Sequence, residues 1–519
     1  MNPLHKLDDA GQSTGAVEAN VAEVATELVD RHAVTRMWDR DHTLWQADPT
    51  DVADRLGWLA MPVEMEERLD QIEDAAASAA GRGLTHALLL GMGGSSLFPL
   101  VLAETFERAD ERLELHVLDT VDPGALARIA ETLPLDRTLF VASSKSGTTA
   151  ETRSLLEWFW EQVGEPDQFA AITDPDTPLA KVARQRGFPV FTNPPDIGGR
   201  YSALTYFGLL PGALMGAPVG ELLHRAGRMA AATAPCVAAE SNPGVRLAAF
   251  LAGAALAGRD KLTLVLPDEL AAFGAWVEQL VAESTGKAGT GIVPVVGEPL
   301  GPPAVYGDDR MFVVIGGDDD ERVSALSDVG HPVAVYRVAD PVDLGAEVFR
   351  WEVAIALTGV ALGINPFDQP DVEVAKDAAR RALAAGAPDV QREPLDALLA
   401  QLRPGDYLAI QAYVDPASPV VERLERVRVA LRDRYGVPVT LGVGPRYLHS
   451  TGQLHKGGPP TGVFVQVVAD DHEDPRIPGE DHGFATLKRA QAAGDLMALR
   501  EAGRRAGRVD IDELLDAGP

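Results

Sequence analysis

The stretch Thr85-His-Ala-Leu-Leu-Leu-Gly91 runs straight into Met92-Gly-Gly-Ser-Ser96, and this junction decides the fold. A short, unbroken apolar run that stops at glycine predicts a strand buried on both faces, as in a parallel sheet covered by helices. Small residues after such a strand let a ligand approach backbone N–H groups at the next helix. Working outward, Leu113–Leu118, Thr138–Ala142 and Ala170–Thr173 have the same character, with helical stretches between them. Strand and helix in alternation predict a doubly wound α/β layer.

The pattern recurs twice downstream. Arg246–Ala257, Ala271–Glu283 and Val348–Gly363 read as helices around strands at Lys261–Leu266, Arg310–Ile315 and Pro332–Tyr336. Pro388–Pro404 is mixed helical and polar. Beyond it, Tyr407–Gln411, Val437–Leu441 and Gly462–Val467 read as strands, with a helix over Val420–Tyr435. Upstream, Val17–Arg31 and Met65–Arg82 are amphipathic helices joined by a segment carrying Trp38 and Trp45, which suit core packing or a domain clasp. The expected division is an N-terminal helical segment (1–75), two α/β units (76–238 and 239–385) and an additional C-terminal α/β unit (386–519).

The 519 residues are 46% hydrophobic and 24% charged, the make-up of a soluble globular chain with ample core. A formal charge of −31 argues against general affinity for nucleic acid or an anionic membrane. It leaves room for an anionic small substrate in a local basic pocket. A single cysteine, Cys236, excludes an intrachain disulfide and points to a reducing compartment. With neither a secretory leader nor an apolar run of spanning length, the sequence reads as cytoplasmic. Basic positions are filled by 38 Arg and 8 Lys, so a lysine in a motif stands out. Lys145, Lys287, Lys376 and Lys456 are of that kind.

The second loop of interest is Ser143-Ser-Lys-Ser-Gly-Thr-Thr149, between a strand end and a helix. Five hydroxyls, a glycine and a lysine can surround a phosphate with neutral donors and one charge. A helix cap needs only one hydroxyl. The order is not that of a nucleoside triphosphate loop, and GMGGSS lacks the last glycine of a dinucleotide fingerprint. Together the two loops resemble the sugar-isomerase (SIS) domain. Gly198-Gly-Arg-Tyr-Ser202, Gln279-Leu-Val-Ala-Glu-Ser-Thr-Gly-Lys287 and Asn365-Pro-Phe-Asp-Gln-Pro-Asp-Val-Glu-Val-Ala-Lys376 narrow the resemblance to the phosphoglucose isomerase family. The likeness runs from about residue 85 to 376 and is nearest to the isomerase half of fused transaldolase/glucose-6-phosphate isomerase proteins.

The resemblance implies two SIS domains with the site between them, and reversible isomerisation of glucose 6-phosphate and fructose 6-phosphate through an enediol without a cofactor. It makes Glu283 the base that moves a proton between C1 and C2, a task for a carboxylate that reaches both carbons. It makes Arg200 the fixed charge beside the enediolate, where Arg holds its proton better than Lys. Lys376 would lie near the ring oxygen, with Gln279 and Gln369 orienting the sugar. Gly94, Ser95, Ser144, Lys145, Ser146, Thr148, Thr149 and Gly199 would form the phosphate cradle and its walls. Read without the resemblance, Glu283 and Arg200 could be surface ion-pair residues and Lys376 an exposed helix lysine.

The family's ring-opening histidine is the departure. Between Glu283 and the FDQ motif stands only His331, in a loop-like setting. After that motif, Arg446-Tyr-Leu-His-Ser-Thr-Gly-Gln-Leu-His-Lys456 places His449 four residues before Gln453, then His455. His449 is the preferred residue, with His455 and His331 as alternatives. The C-terminal unit would then fold back onto the cleft from its own chain or from the partner in a homodimer. No third ligand is spaced to join His449 and His455, so no metal is expected. The competing functions are an isomerase of another phosphosugar, such as mannose 6-phosphate or an amino-sugar phosphate, and a non-catalytic phosphosugar-binding module.

Overall fold

The computed structural model describes residues 10–316, 321–386 and 389–518; Pro388 and the first nine residues lie outside them. Three sheets organise the chain. The first has the order β3-β2-β4-β5-β6, with β2 His86–Gly91, β3 Glu114–Leu118, β4 Thr138–Ser143, β5 Phe169–Thr173 and β6 Val190–Thr192, all parallel. β2 and β4 are buried almost throughout, which explains their unbroken apolar runs. Their C-terminal ends carry the two hydroxyl-rich loops, the edge where parallel sheets bind ligands.

The second sheet has the order β1-β10-β9-β7-β8. It comprises β7 Lys261–Val265, β8 Val293–Val295, β9 Arg310–Gly316 and β10 Val333–Arg337, with β1 Ala10–Ser13 antiparallel on its edge. β1 corrects the all-helical reading of the N-terminal segment. Four residues are too few to show an alternation, and an edge strand takes its pairing from the neighbour it covers. β6 and β8, three residues each, escape a sequence reading for the same reason.

The third sheet, β12-β11-β13-β14, is parallel and built from β11 Tyr407–Tyr413, β12 Val439–Val443, β13 Gly462–Val468 and β14 Arg505–Arg508. It has its own core around Leu408, Ile410, Leu424, Val463 and Val465. By contrast, one apolar cluster runs through the N-terminal helices and the first two units, joining Trp58, Tyr201, Phe207, Trp276 and Trp351. Trp38 and Trp45 act as clasps: Trp38 Nε1 donates to Thr233 O at 3.0 Å and Trp45 Nε1 to Ala356 O at 2.8 Å.

Charged side chains pin the third unit to the other two. Arg446 pairs with Asp119 of the first unit at 2.6 Å, and Lys488 with Asp122 at 2.8 Å. Arg428 and Arg432 donate to Val296 O and Pro299 O of the second unit at 2.8 and 2.7 Å. Buried arginine suits this task, because its planar fork satisfies several carbonyl acceptors while staying charged. No described helix is long and apolar enough to cross a membrane.

Candidate active site

All three units meet at a cavity of about 390 Å³. Ser146, Thr148, Thr149 and Glu151 come from the first unit, Glu283 from the second, Gln369 and Lys376 from the helix Pro370–Ala384 and the turn before it. His449, Lys456 and Gln491 come from the third.

Glu283 sits on the helix Phe273–Thr285 and is almost fully buried. Its Oε2 is approached by Gln279 Nε2 at 3.4 Å, Gln369 Nε2 at 3.2 Å and Arg200 Nη1 at 3.5 Å. Burial pushes its carboxyl up to about 7, and the charges of Arg200, His449 and Lys287 keep it from rising further. Arg200 is 1% exposed. Its guanidinium is fixed by Ser284 Oγ at 2.8 Å and by the Pro366 and Asp368 carbonyls at 2.6 and 3.0 Å. Lys287, quoted in the motif without a role, spans the same corner and donates to Asn365 O and Asp368 Oδ1, each at 2.6 Å. Burial pushes its ammonium down to about 7, helped by Arg200 and opposed by Asp368.

The hydroxyl loop is organised by its own side chains. Ser144 Oγ lies 3.0 Å from Thr149 Oγ1 and accepts from Gly147 N at 3.1 Å; Ser146 Oγ lies 2.8 Å from Thr148 Oγ1. Thr149 is the N-cap residue of the helix Ala150–Val163 yet makes no side-chain cap bond, so its hydroxyl is not used up as a cap. Lys145 departs from its expected place in the phosphate cradle. Its ammonium pairs with Asp174 and donates to Pro195 O at 3.2 Å, and it is absent from the cavity wall. Asp174, the residue after β5, holds it there.

Two glycines of the first loop permit close approach, one of a neighbouring loop in the same unit and the other of the third unit. A Cβ on Gly94 would stand 2.0 Å from Gly199 O, so the loop bearing Arg200 packs directly on that backbone. Gly93 has φ +55°, and a Cβ there would lie 2.7 Å from His449 O. Ser95 is buried just behind, its carbonyl accepting from Ser143 Oγ at 2.9 Å.

His449 ends a short helical turn, Arg446–His449, and reaches the cavity from its own chain. Adjacent residues of the Glu283 helix hold this turn: Gln279 Nε2 donates to His449 O at 2.7 Å, and Ser450 Oγ donates to Glu278 Oε1 at 3.1 Å. Gln453 completes the attachment through Gly286 O at 3.0 Å and Asp371 Oδ2 at 2.6 Å. The His449 ring nitrogen Nε2 lies 2.9 Å from Glu151 Oε1, which also accepts from Gln491 Nε2 at 2.7 Å. Burial alone would lower His449, but the Glu151 carboxylate outweighs it, Glu283 adds to the pull and Lys376 opposes; the net shift is upward. Glu151 is invisible as a site residue in the sequence, since its partners lie about 300 and 340 positions away.

The two alternative histidines lie elsewhere. His331 packs edge-on against Tyr306 and Phe312 of the second unit. His455 is buried against Tyr447 and Phe464, with Gln411 Nε2 at 3.2 Å from its Nδ1, and burial holds its pKa well down. Its neighbour Lys456 pairs with Asp495 at 2.6 Å.

Known proteins share this framework. The chain is similar to glucose-6-phosphate isomerase of Prochlorococcus marinus (strain NATL2A), 30% identical over 58% of this chain and 67% of that one. It is equally similar, at 30% identity, to that of Thermus thermophilus, over 63% of this chain and 90% of that one. A crystal structure of a hypothetical protein from Thermus thermophilus overlays with a TM-score of 0.60 at 25% identity, covering 72% of this chain and all of that one. That of a glucose-6-phosphate isomerase from Chlamydia trachomatis has the same fold, with a TM-score of 0.57 at 19% identity over 72% of this chain and 88% of that one. The family profile described as phosphoglucose isomerase matches residues 23–301, more than half of the chain. With both loops, the Arg200 turn and the Glu283 helix inside that match, the chain belongs to the phosphoglucose isomerase family.

Proposed function

We propose that the chain is an aldose–ketose isomerase that interconverts glucose 6-phosphate and fructose 6-phosphate, in glycolysis and gluconeogenesis. The observation that carries the reading is Glu283: a buried carboxyl held near neutrality, beside a fixed guanidinium, on a cavity with hydroxyls at one side and an imidazole–carboxylate pair at another. The phosphate docks on Ser146, Thr148 and Thr149 at the start of the helix Ala150–Val163, with Ser144 behind them bonded to the Thr149 hydroxyl, so that hydroxyls and backbone N–H groups supply donors. His449, with Nε2 anchored on Glu151, uses its other nitrogen to exchange a proton with the ring oxygen, and Lys376 supplies charge nearby. Once the ring is open, Glu283 takes the C2 proton and returns it to C1. Gln279, Gln369 and Arg200 all approach Oε2, so the other oxygen is the one that meets the sugar. Arg200 stabilises the enediolate from a position that needs no reorganisation.

This chemistry needs only side chains. The exposed lone Cys236 supports a cytoplasmic setting. The test is a coupled assay with fructose 6-phosphate, using wild type and Glu283→Gln. Wild-type turnover should fall by at least about a thousandfold in the variant, with sugar-phosphate binding retained. Turnover in the variant within a few-fold of wild type would overturn the role of Glu283. No wild-type turnover, with phosphosugar still bound, would favour a binding module.

A further inference from the structure

A second cluster lies at the opposite end of the first sheet. In the parallel register His86 of β2 stands beside Glu114 of β3, and Leu88 beside His116. Side chains two apart on a strand share a face, so His86, Glu114 and His116 project from the same side of the sheet. Each offers one donor atom, all within 4.8 Å of one another. Glu114 Oε1 is 3.3 Å from His116 Nε2, and Oε2 is 3.6 Å from His86 Nε2. The rings stack, with centroids 5.6 Å apart and planes 18° off parallel.

Two further features point to a ligand. His116 Nε2 is shielded from solvent yet has no hydrogen bond, despite the carboxylate beside it. His86 Nδ1 lies 2.9 Å from Thr85 Oγ1. With Nδ1–H donating to that hydroxyl, Nε2 is left as a bare lone pair, which is how an outer partner orients a metal-binding imidazole. Donors about 2.0–2.1 Å from a tetrahedral zinc ion stand roughly 3.3 Å from one another, close to the 3.3 and 3.6 Å at which the Glu114 carboxylate stands from the two rings.

We propose that His86, Glu114 and His116 form a binding site for a divalent transition-metal ion, zinc by the chemistry of two imidazoles and a carboxylate. Glu114 is the most exposed of the three, so the fourth position is open to water. The ion would tie the edge strand β3 to β2. The loop that carries the sugar site leaves the other end of β2, five residues on and roughly 16 Å away, so the ion's role is to hold the sheet and not to join the reaction.

The test uses the full chain without a polyhistidine tag, stripped with chelator, then titrated with zinc chloride by calorimetry and followed by thermal melting. Wild type, His116→Gln, Glu114→Gln and His86→Gln/His116→Gln are compared. The expected result is one equivalent bound by wild type with micromolar or tighter affinity, weakened at least tenfold in each single variant and lost in the double. Zinc should raise the wild-type melting temperature by several degrees and leave the double variant's unmoved. Metal-free melts and isomerase turnover should match across the set, which separates lost ligands from misfolding. Equal zinc binding by wild type and the double variant would overturn the proposal, as would wild-type affinity weaker than about 100 µM.

Discussion

Glu151→Gln keeps the size of a buried side chain and removes only its charge, so it isolates what the carboxylate does for His449. Glu151 Oε1 receives His449 Nε2 at 2.9 Å and Gln491 Nε2 at 2.7 Å. An amide oxygen can still accept from both, but it cannot stabilise an imidazolium. A hydrogen bond to a charged group contributes about 1.5–3 kcal/mol, and about 1.4 kcal/mol is a factor of ten. The expected loss is therefore roughly tenfold to a hundredfold in kcat/KM for the cyclic sugar phosphate. The sign on the pH axis follows from the causes. Burial lowers His449 and Glu151 raises it; with the charge gone burial prevails, so protonated His449 is lost at lower pH and the alkaline limb moves down. The assay is a coupled pH–rate profile, repeated with substrate presented in its open-chain form, which should lose far less. Since both residues act as one unit, Glu151→Gln/His449→Ala should be no slower than His449→Ala alone. An unmoved alkaline limb, or losses that multiply in the double variant, would refute the pairing.

How much of this is legible in the sequence depends on distance along the chain. β2, β4, β7, β9 and β11 are central strands with continuous apolar runs, and their positions follow from the sequence to within a residue or two. β1, β6 and β8 are short edge strands, and β14 is a short one beside β13; their pairing is a tertiary property that no local pattern carries. The same division holds at the site. Glu283, Arg200 and Gln369 are readable because motifs carry them, while Lys145 illustrates the limit: a motif names a residue but not where its side chain goes, and Asp174 decides that. His449 follows from the shortage of histidines in the matched core, and the structure places it on the cavity with Gln453 as its anchor. What no spacing reveals is the partner of each group. Glu151 with His449, and His86 with Glu114 and His116, meet only after the sheets form.

Three other outcomes follow from the geometry. Replacing Ser144, Ser146 and Thr149 together with Ala should raise KM for the phosphorylated sugar by well over tenfold, since each charge-assisted bond contributes about 1.5–3 kcal/mol; a lowered melting temperature with KM unchanged would reduce the loop to a helix cap. Gly94→Ala forces a methyl to within 2.0 Å of Gly199 O, so it should cost about 1–3 kcal/mol in stability and more than tenfold in turnover by displacing Arg200; a wild-type melt with full activity would show that the loops are not in register. The last outcome sets stability against catalysis at Glu283. Its carboxyl is raised by burial from 4.5 to about 7 in the folded protein, so the fold binds that proton more tightly than the unfolded chain does. The associated stability is complete below about 4.5, declines as pH rises, and is gone above about 7. Glu283→Gln, neutral at every pH, should therefore melt higher than wild type at pH 8, by up to roughly 3 kcal/mol on the scale of 1.36 kcal/mol per pH unit, and show little difference at pH 5, while turnover is lost at both. If the variant is less stable than wild type at pH 8, the Arg200–Glu283 contact outweighs the burial of the carboxylate, and the base is held charged by its neighbour instead of being poised near neutrality.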